Sequence, residues 1–469
     1  MFVFAHRLDR RIKKLKNKRY DAVVCGAGIA GVSSAYYLMQ AGLKRILLID
    51  QGAPLSLTSD KSTECFRNWW AGPDSTMVCF MNRSIDLMEQ HARESQNRFL
   101  LNPHGYLFAT ASRDTIDVFE KQGKEAEEFG AGKFRNNPSN SDYIRNPNTG
   151  YISELDGSDL ITGQSTIQEI FPYLNEKTVA VLHARRCGSM SAQQLGMYLF
   201  EEAKRNGCEF KIAYMKGVNT KAGAVNSVII ENNGVEEQIE SDAVVLCGGP
   251  HINATLKSMN VELPILVEKH VKISLPDTLS VVPRSAPLMI WADAIKLNWS
   301  TEESEELEQF SETKWLLQEF PAGVHGRPVG EGNQVLMYWT YDCESSVRPS
   351  FPLEWNEYLP EVTLRGMAHM IPGLKQYLDP MPKPYVDGGY YTKTPENRPL
   401  IGPLDIKGAF ICGAFSGFGI MSACASGELI SKHVTNGILP SYSKAFAPSR
   451  FSDSNYLAEI KTWNMNGQL

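Results

Sequence analysis

Nowhere does the 469-residue chain run to the roughly 20 consecutive apolar residues that a bilayer-crossing helix needs, so a soluble protein is expected. It has no excess of positive charge: 47 Lys and Arg stand against 53 Asp and Glu, a formal net charge of -6. Nucleic acid demands a concentrated basic surface, and none is expected beyond the first residues. There is no CxxC pair. The nine cysteines are odd in number and scattered from Cys25 to Cys424, which reads as free thiols in a reducing compartment and not as a disulfide framework. The triplets at Asn82, Asn253 and Asn298 then read as chance glycosylation sequons. No HExxH pair, phosphate-binding P-loop or nucleophile elbow occurs, so no metal site is expected, and nucleotide hydrolysis and serine acyl transfer have no support. Internal repeats and low-complexity segments are missing too.

What is present is length, more than one hydrophobic core can use, so two or more domains are expected. The chain opens with a basic stretch, residues 1–19, in which only Asp9 offsets eight Lys and Arg. It lacks the long apolar centre of a secretory signal and reads as a solvated helix or a contact for acidic lipid or a partner. The expected compartment is the cytoplasm, with the mitochondrion as the alternative in a eukaryote.

The most informative stretch is Tyr20 to Asp50. A buried-type strand ends at Gly26-Ala27-Gly28-Ile29-Ala30-Gly31, a helix-compatible run stops at Gly42, and a second apolar run ends in Asp50 and Gln51. Gly26 permits the tight turn, Gly28 lets backbone approach a pyrophosphate, and Gly31 lets helix and strand pack closely. Asp50 lies 24 positions beyond Gly26, where a carboxylate meets ribose hydroxyls. The fingerprint leaves FAD and NAD open. Two distant segments bear on that choice. An apolar run ends at Gly248-Gly249-Pro250, and another ends at Gly413-Ala414-Phe415-Ser416-Gly417-Phe418-Gly419, with a small-residue helix beginning near Ile420. Such a helix start offers backbone amides to the pyrimidine edge of a flavin.

These segments, with "TSDKSTECFRNWW" at 58–70, "CGSMSAQQLGMYLFEEAKRNGCEF" at 187–210 and "GGYYTKTPENRPLIGP" at 388–403, resemble the D-amino-acid oxidase superfamily of flavoproteins. The nearest branch is that of glycine oxidase, sarcosine oxidase and dimethylglycine dehydrogenase. The resemblance implies an α/β (α+β overall) chain: a Rossmann-like FAD domain in three segments, 20–92, 182–265 and 386–440, with a mixed-sheet substrate domain at 93–181 and 266–385 and a C-terminal tail at 441–469 laid over the surface. It puts the FAD pyrophosphate and flavin near Ser59, Ser62 and Thr63, the adenine at Val218, the adenosine side at Gly248 and Gly249, and the flavin edge at Phe415 to Met421. Gly389 stands where some sarcosine oxidases carry the cysteine that bonds FAD, so noncovalent FAD is implied.

For the substrate, the resemblance implies that Arg67 pairs with a carboxylate, a task that suits a guanidinium. Met421 replaces a companion lysine, Glu64 a second arginine and Asp60 a histidine, departures that leave the substrate open. Tyr338 and Tyr391 fall at pocket positions, where a phenol offers an apolar face and a hydrogen-bonding tip, and core packing is the other reading of each. His325 and Arg327 are read in a turn before the strand Gln334 to Thr340; there a histidine could orient substrate or take a proton, or be solvated. Phe66, Trp69 and Trp70 read as a shield for the flavin or as core. The charge run from Ser300 to Lys314 reads as a solvated helix or loop. The implied activity is FAD-dependent oxidation of the C–N bond of an amino acid or a secondary or tertiary amine, by hydride transfer to flavin N5 to give an imine. The acceptor would be O2 or another electron acceptor. The alternatives are a dehydrogenase serving a quinone or flavoprotein, and a non-catalytic FAD-containing assembly or scaffold protein.

Overall fold

The computed structural model describes residues 19–145, 150–152, 154–345 and 348–463. Apart from Arg19, the basic extension lies outside the described residues, as does the end of the C-terminal tail. The chain divides into two compact units. The first gathers the described residues through Ser59 with Gln193–Leu266 and Tyr391–Thr462, and the second gathers Asp60–Ala192 and Val267–Tyr390. Among the described residues no helix is long and apolar enough to cross a membrane.

The first unit is organised by a six-stranded sheet in the order Leu400–Pro403, Ala409–Gly413, Val244–Leu246, Ala22–Cys25, Ile46–Asp50, Glu209–Ile212. All neighbours are parallel except the first pair. The central strands read AVVC, ILLI and VVL and are buried throughout, as strands covered on both faces must be. Helix Ile29–Gln40 packs on helix Gly419–Thr435 at a seam of small residues: Ser33 Oγ donates to the Ala423 carbonyl at 2.6 Å, and a Cβ on Gly427 would lie 2.3 Å from Ser33 Oγ. A three-stranded antiparallel sheet, Tyr214–Lys221, Ala224–Asn232 and Val235–Glu240, adds Val228 and Ile230 to the same core as Val23, Leu47 and Ile411.

The second unit is built on a nine-stranded mixed sheet in the order Tyr385–Lys393, Leu266–Pro276, Gln334–Tyr338, His325–Pro328, Leu288–Trp291, Tyr106–Thr110, Ala180–Ala184, Ser158–Thr162, Phe134–Asn136. Its core joins Leu107, Val181, Met289, Trp291, Val335 and Met337 to Val362 and Met367 of helix Leu359–Met370. Three local readings of the sequence are settled here. His325 and Arg327 lie on an inner strand, both buried, and not in a turn. The reason is Gly326 between them: a Cβ there would sit 2.6 Å from the Leu336 carbonyl, so the glycine serves close strand packing. The charge run forms helix Thr301–Gln309, started by a Ser300–Glu303 capping box and with no buried residue. The C-terminal tail, in the first unit, is more than a surface strap. Its Arg450 is buried against Glu396, Nη2 to Oε1 at 2.7 Å, with side-chain exposures of 4% and 0%.

Candidate active site

In the first unit the three glycine turns all follow strands that are neighbours in the parallel sheet: Gly26 after Ala22–Cys25, Gly248 and Gly249 after Val244–Leu246, and Gly413 at the end of Ala409–Gly413. They therefore gather at the carboxyl edge, where open α/β sheets bind ligands. Gly26 has φ +109°, and a Cβ there would meet the Cys247 carbonyl at 2.2 Å. A Cβ on Gly31 would sit 1.7 Å from the Gly26 carbonyl oxygen, so helix and turn touch through bare backbone. The Asp50 carboxylate accepts the Ala27 N–H at 2.6 Å and the Gly52 N–H at 2.9 Å, which ties the acid to the turn. Gln51 is exposed, and Val218 is half-buried on strand Tyr214–Lys221.

The cradle fits a dinucleotide on several counts. Helix Ile29–Gln40 has no capping side chain on its Gly28 N-cap and no acid in its first turn, and Ile29 N–H donates to Ser59 Oγ at 2.9 Å. Gly28 leaves space in which a Cβ would meet only Ser59 Oγ, at 3.2 Å, and beside Gly249 and Gly413 a Cβ would meet nothing within 4 Å. Helix Gly419–Thr435 likewise starts at Phe418 without a side-chain cap or an acid. Before it the backbone turns left-handed at Ala414, Ser416 and Gly417, with φ of 53°, 52° and 87°, a conformation costly for residues with a Cβ. Ser416 N–H is held by the Thr392 carbonyl at 2.8 Å, and Gly417 lies against the Tyr391 ring. Ile420 and Met421 are buried in the first turn of that helix.

Ser62 and Thr63 fall in the second unit. The Ser62 carbonyl accepts from Lys272 Nζ at 2.9 Å, and the Thr63 carbonyl accepts from Arg327 Nε at 2.7 Å. Arg327 also faces Glu64, at 3.4 Å. Arg67, on strand Cys65–Arg67, is 3% exposed, with its guanidinium 4.2 Å from the Trp70 ring and 5.8 Å from the Tyr106 ring. Burial pulls its pKa below the usual value. Phe66, Trp69 and Trp70 are buried beside it in the chain. His325 donates Nδ1–H to the Gly323 carbonyl at 2.8 Å; burial, and then the nearby Arg67 cation, pulls it down to about 4, so it is neutral at neutral pH.

Sequence reasoning missed a cluster in this unit. Strand Leu266–Pro276 alternates Glu268, His270 and Lys272 on one face, a period-2 spacing that could have exposed it. His270 Nε2 is 2.7 Å from Glu268 Oε1, and its Nδ1 meets the Tyr338 hydroxyl. Cys343 Sγ lies 3.5 Å from the same Nδ1. One side-chain polar atom from each of Glu268, His270 and Cys343 lies within 4.8 Å of the others.

The family model described as FAD-dependent oxidoreductase matches residues 21–433. Among curated proteins, the sarcosine oxidase subunit beta of Rhodobacter capsulatus is 24% identical over 221 residues, 45% of this chain, and the match spans about half of that relative, 48%. Among solved structures, L-proline dehydrogenase from P. horikoshii is similar with a TM-score of 0.70 at 20% identity, covering 93% of this chain and 98% of that one. Glycine oxidase from Geobacillus kaustophilus gives a TM-score of 0.70 at 15% identity, covering 92% and 99%. At such identities these structures establish a common α/β fold.

Proposed function

The chain belongs to the FAD-dependent oxidoreductase family, and from that premise we propose that it oxidises the C–N bond of an amino acid or a secondary or tertiary amine to an imine, which water then hydrolyses. The observation that carries this reading is Arg67: a guanidinium at 3% exposure, set 4.2 Å from the Trp70 ring, presents the planar fork that suits a substrate carboxylate. The names of the similar proteins, which concern proline, glycine and sarcosine, point the same way.

FAD, when bound, supplies the hydride acceptor at its N5. We assign its pyrophosphate to Gly26, Gly28, Ile29, Ala30 and Gly31 with Ser59, its adenosine ribose to Asp50, and its adenosine side to Val218, Gly248 and Gly249. Gly413 and the Phe415 to Met421 turn take the flavin's pyrimidine edge and ribityl chain. Gly389 has no side chain to bond the flavin, so the cofactor is held noncovalently. Arg67 orients the substrate through its carboxylate, and Trp69 and Trp70 exclude water from the ion pair. Met421 adds no second cation, and Glu64 is paired with Arg327, so one guanidinium does the anchoring. A carboxylate held by one cation favours monocarboxylates over dianions.

The test is turnover by the FAD-loaded protein on proline, glycine, sarcosine, dimethylglycine and the matching amines without a carboxylate. Detection of the aldehyde or keto product from a carboxylated compound supports the reading; turnover confined to carboxylate-free amines contradicts the role given to Arg67. Oxygen uptake during turnover separates an oxidase from a dehydrogenase.

A further inference from the structure

Tyr338, His270 and Glu268 form one directed hydrogen-bond chain. Glu268, as a carboxylate, accepts the Nε2–H of His270 at 2.7 Å and the Ser345 hydroxyl at 3.0 Å. That fixes the tautomer, leaving the Nδ1 lone pair to accept from the Tyr338 hydroxyl. Tyr338, His270 and Glu268 are 5%, 3% and 9% exposed, whereas Ser345 is exposed, so the chain runs from a buried phenol to the surface. A buried hydroxyl needs only one partner; a histidine aligned by a carboxylate is the arrangement that accepts a proton and balances the resulting charge.

We propose that Tyr338, His270 and Glu268 are a proton relay that deprotonates the substrate ammonium. The inference rests on the amine oxidation proposed above. An N–H bond of the ammonium breaks as its proton passes to the Tyr338 oxygen, and the phenol's own proton passes to Nδ1 of His270. The products are a neutral amine, a neutral phenol and an imidazolium whose charge Glu268 balances at Nε2. Other titratable or charged groups lie on the elements around His270. Its own strand carries Lys272 and Lys269, the latter paired with Glu344 at 3.7 Å. Cys343 stands at Nδ1, and His325 packs edge-on against Tyr338 with ring centroids 4.9 Å apart. Strand Tyr385–Lys393 carries Asp387, paired with Lys61 at 3.1 Å.

The test uses the FAD-loaded full chain and an amine found to reduce its flavin. Nitrogen-15 NMR is expected to show His270 protonated on Nε2 and not on Nδ1 at neutral pH. His270→Gln and Tyr338→Phe are each expected to lower kcat/KM about 10²-fold at pH 7, the lower bound for general acid–base catalysis, and to move its acidic limb up toward the free ammonium's pKa. The double variant should be no worse than either single one, because both break one path. Flavin content checks folding, and Tyr338→Phe, which removes only a hydroxyl, carries the test if His270→Gln does not fold. An Nδ1–H tautomer, an unmoved pH profile or additive losses would overturn the relay. If no amine reduces the flavin, it is the oxidation reading that fails.

Discussion

Arg67 keeps its charge at 3% exposure on two aromatic faces, and its geometry matters as much as its sign. Replacing it with Lys retains the charge but loses the planar fork that grips a carboxylate bidentately and stacks on Trp70. For a carboxylated substrate, Arg67→Lys is expected to raise KM about 10²-fold, with a far smaller effect on amines without a carboxylate; steady-state kinetics on matched pairs checks this. A second prediction concerns Gly31, where an added Cβ would lie 1.7 Å from a backbone oxygen. Gly31→Ala should destabilise the protein by about 1–3 kcal/mol and reduce bound flavin, measured by thermal melting and absorbance. These residues were legible because each has a local signature: a glycine spacing, an acid at a fixed offset, an arginine inside a motif. Of the His270 cluster only the alternation of Glu268, His270 and Lys272 is local, since its partners Tyr338 and Cys343 are far along the chain and are brought to it by the fold.

At the scale of elements, strand Ala22–Cys25, helix Ile29–Gln40 and strand Ile46–Asp50 could be read from periodicity, because each is bounded by glycines whose backbone geometry the turn demands. Strand His325–Pro328 could not: its Gly and Pro mimic a turn, and only its place between two partner strands reveals it. The tail was underestimated for a similar reason, as Glu396 and Arg450 are 54 positions apart. Arg450 also donates to the Arg398 carbonyl at 2.9 Å, and the Tyr456 hydroxyl reaches Glu396 at 3.1 Å. Removing one partner of a fully buried pair leaves an uncompensated charge, so Arg450→Ala should cost about 3–5 kcal/mol in urea unfolding. An effect below 1 kcal/mol would show that the tail is a passive strap.

For the whole molecule, buried histidines set the response to acid. His183 is pulled down to about 3 by burial and then by the Arg185 cation, and His325 to about 4, against an ordinary value of 6.5. Both are neutral in the folded chain: His183 Nδ1 faces the Tyr143 hydroxyl at 2.9 Å and its Nε2 faces the His104 carbonyl at 3.0 Å. Below pH 6.5 the unfolded chain binds protons that the folded chain refuses, so stability falls as pH drops, until the folded values of about 4 and 3 are passed. Each group contributes a slope on the order of 1.4 kcal/mol per pH unit in that window. Denaturant unfolding at pH 7 and pH 5 should show the loss, reduced in His325→Gln, and equal stability at the two pH values would refute it.

The most direct measurement is the visible spectrum of the purified protein, taken anaerobically during titration with amino acids, N-methyl amino acids and simple amines. The account predicts the bands of an oxidised flavin, released on denaturation because no covalent bond holds it, and their bleaching by at least one carboxylated amine. Flavin bands that no amine bleaches would contradict the proposed reaction, and a protein that binds no flavin would contradict the account at its base.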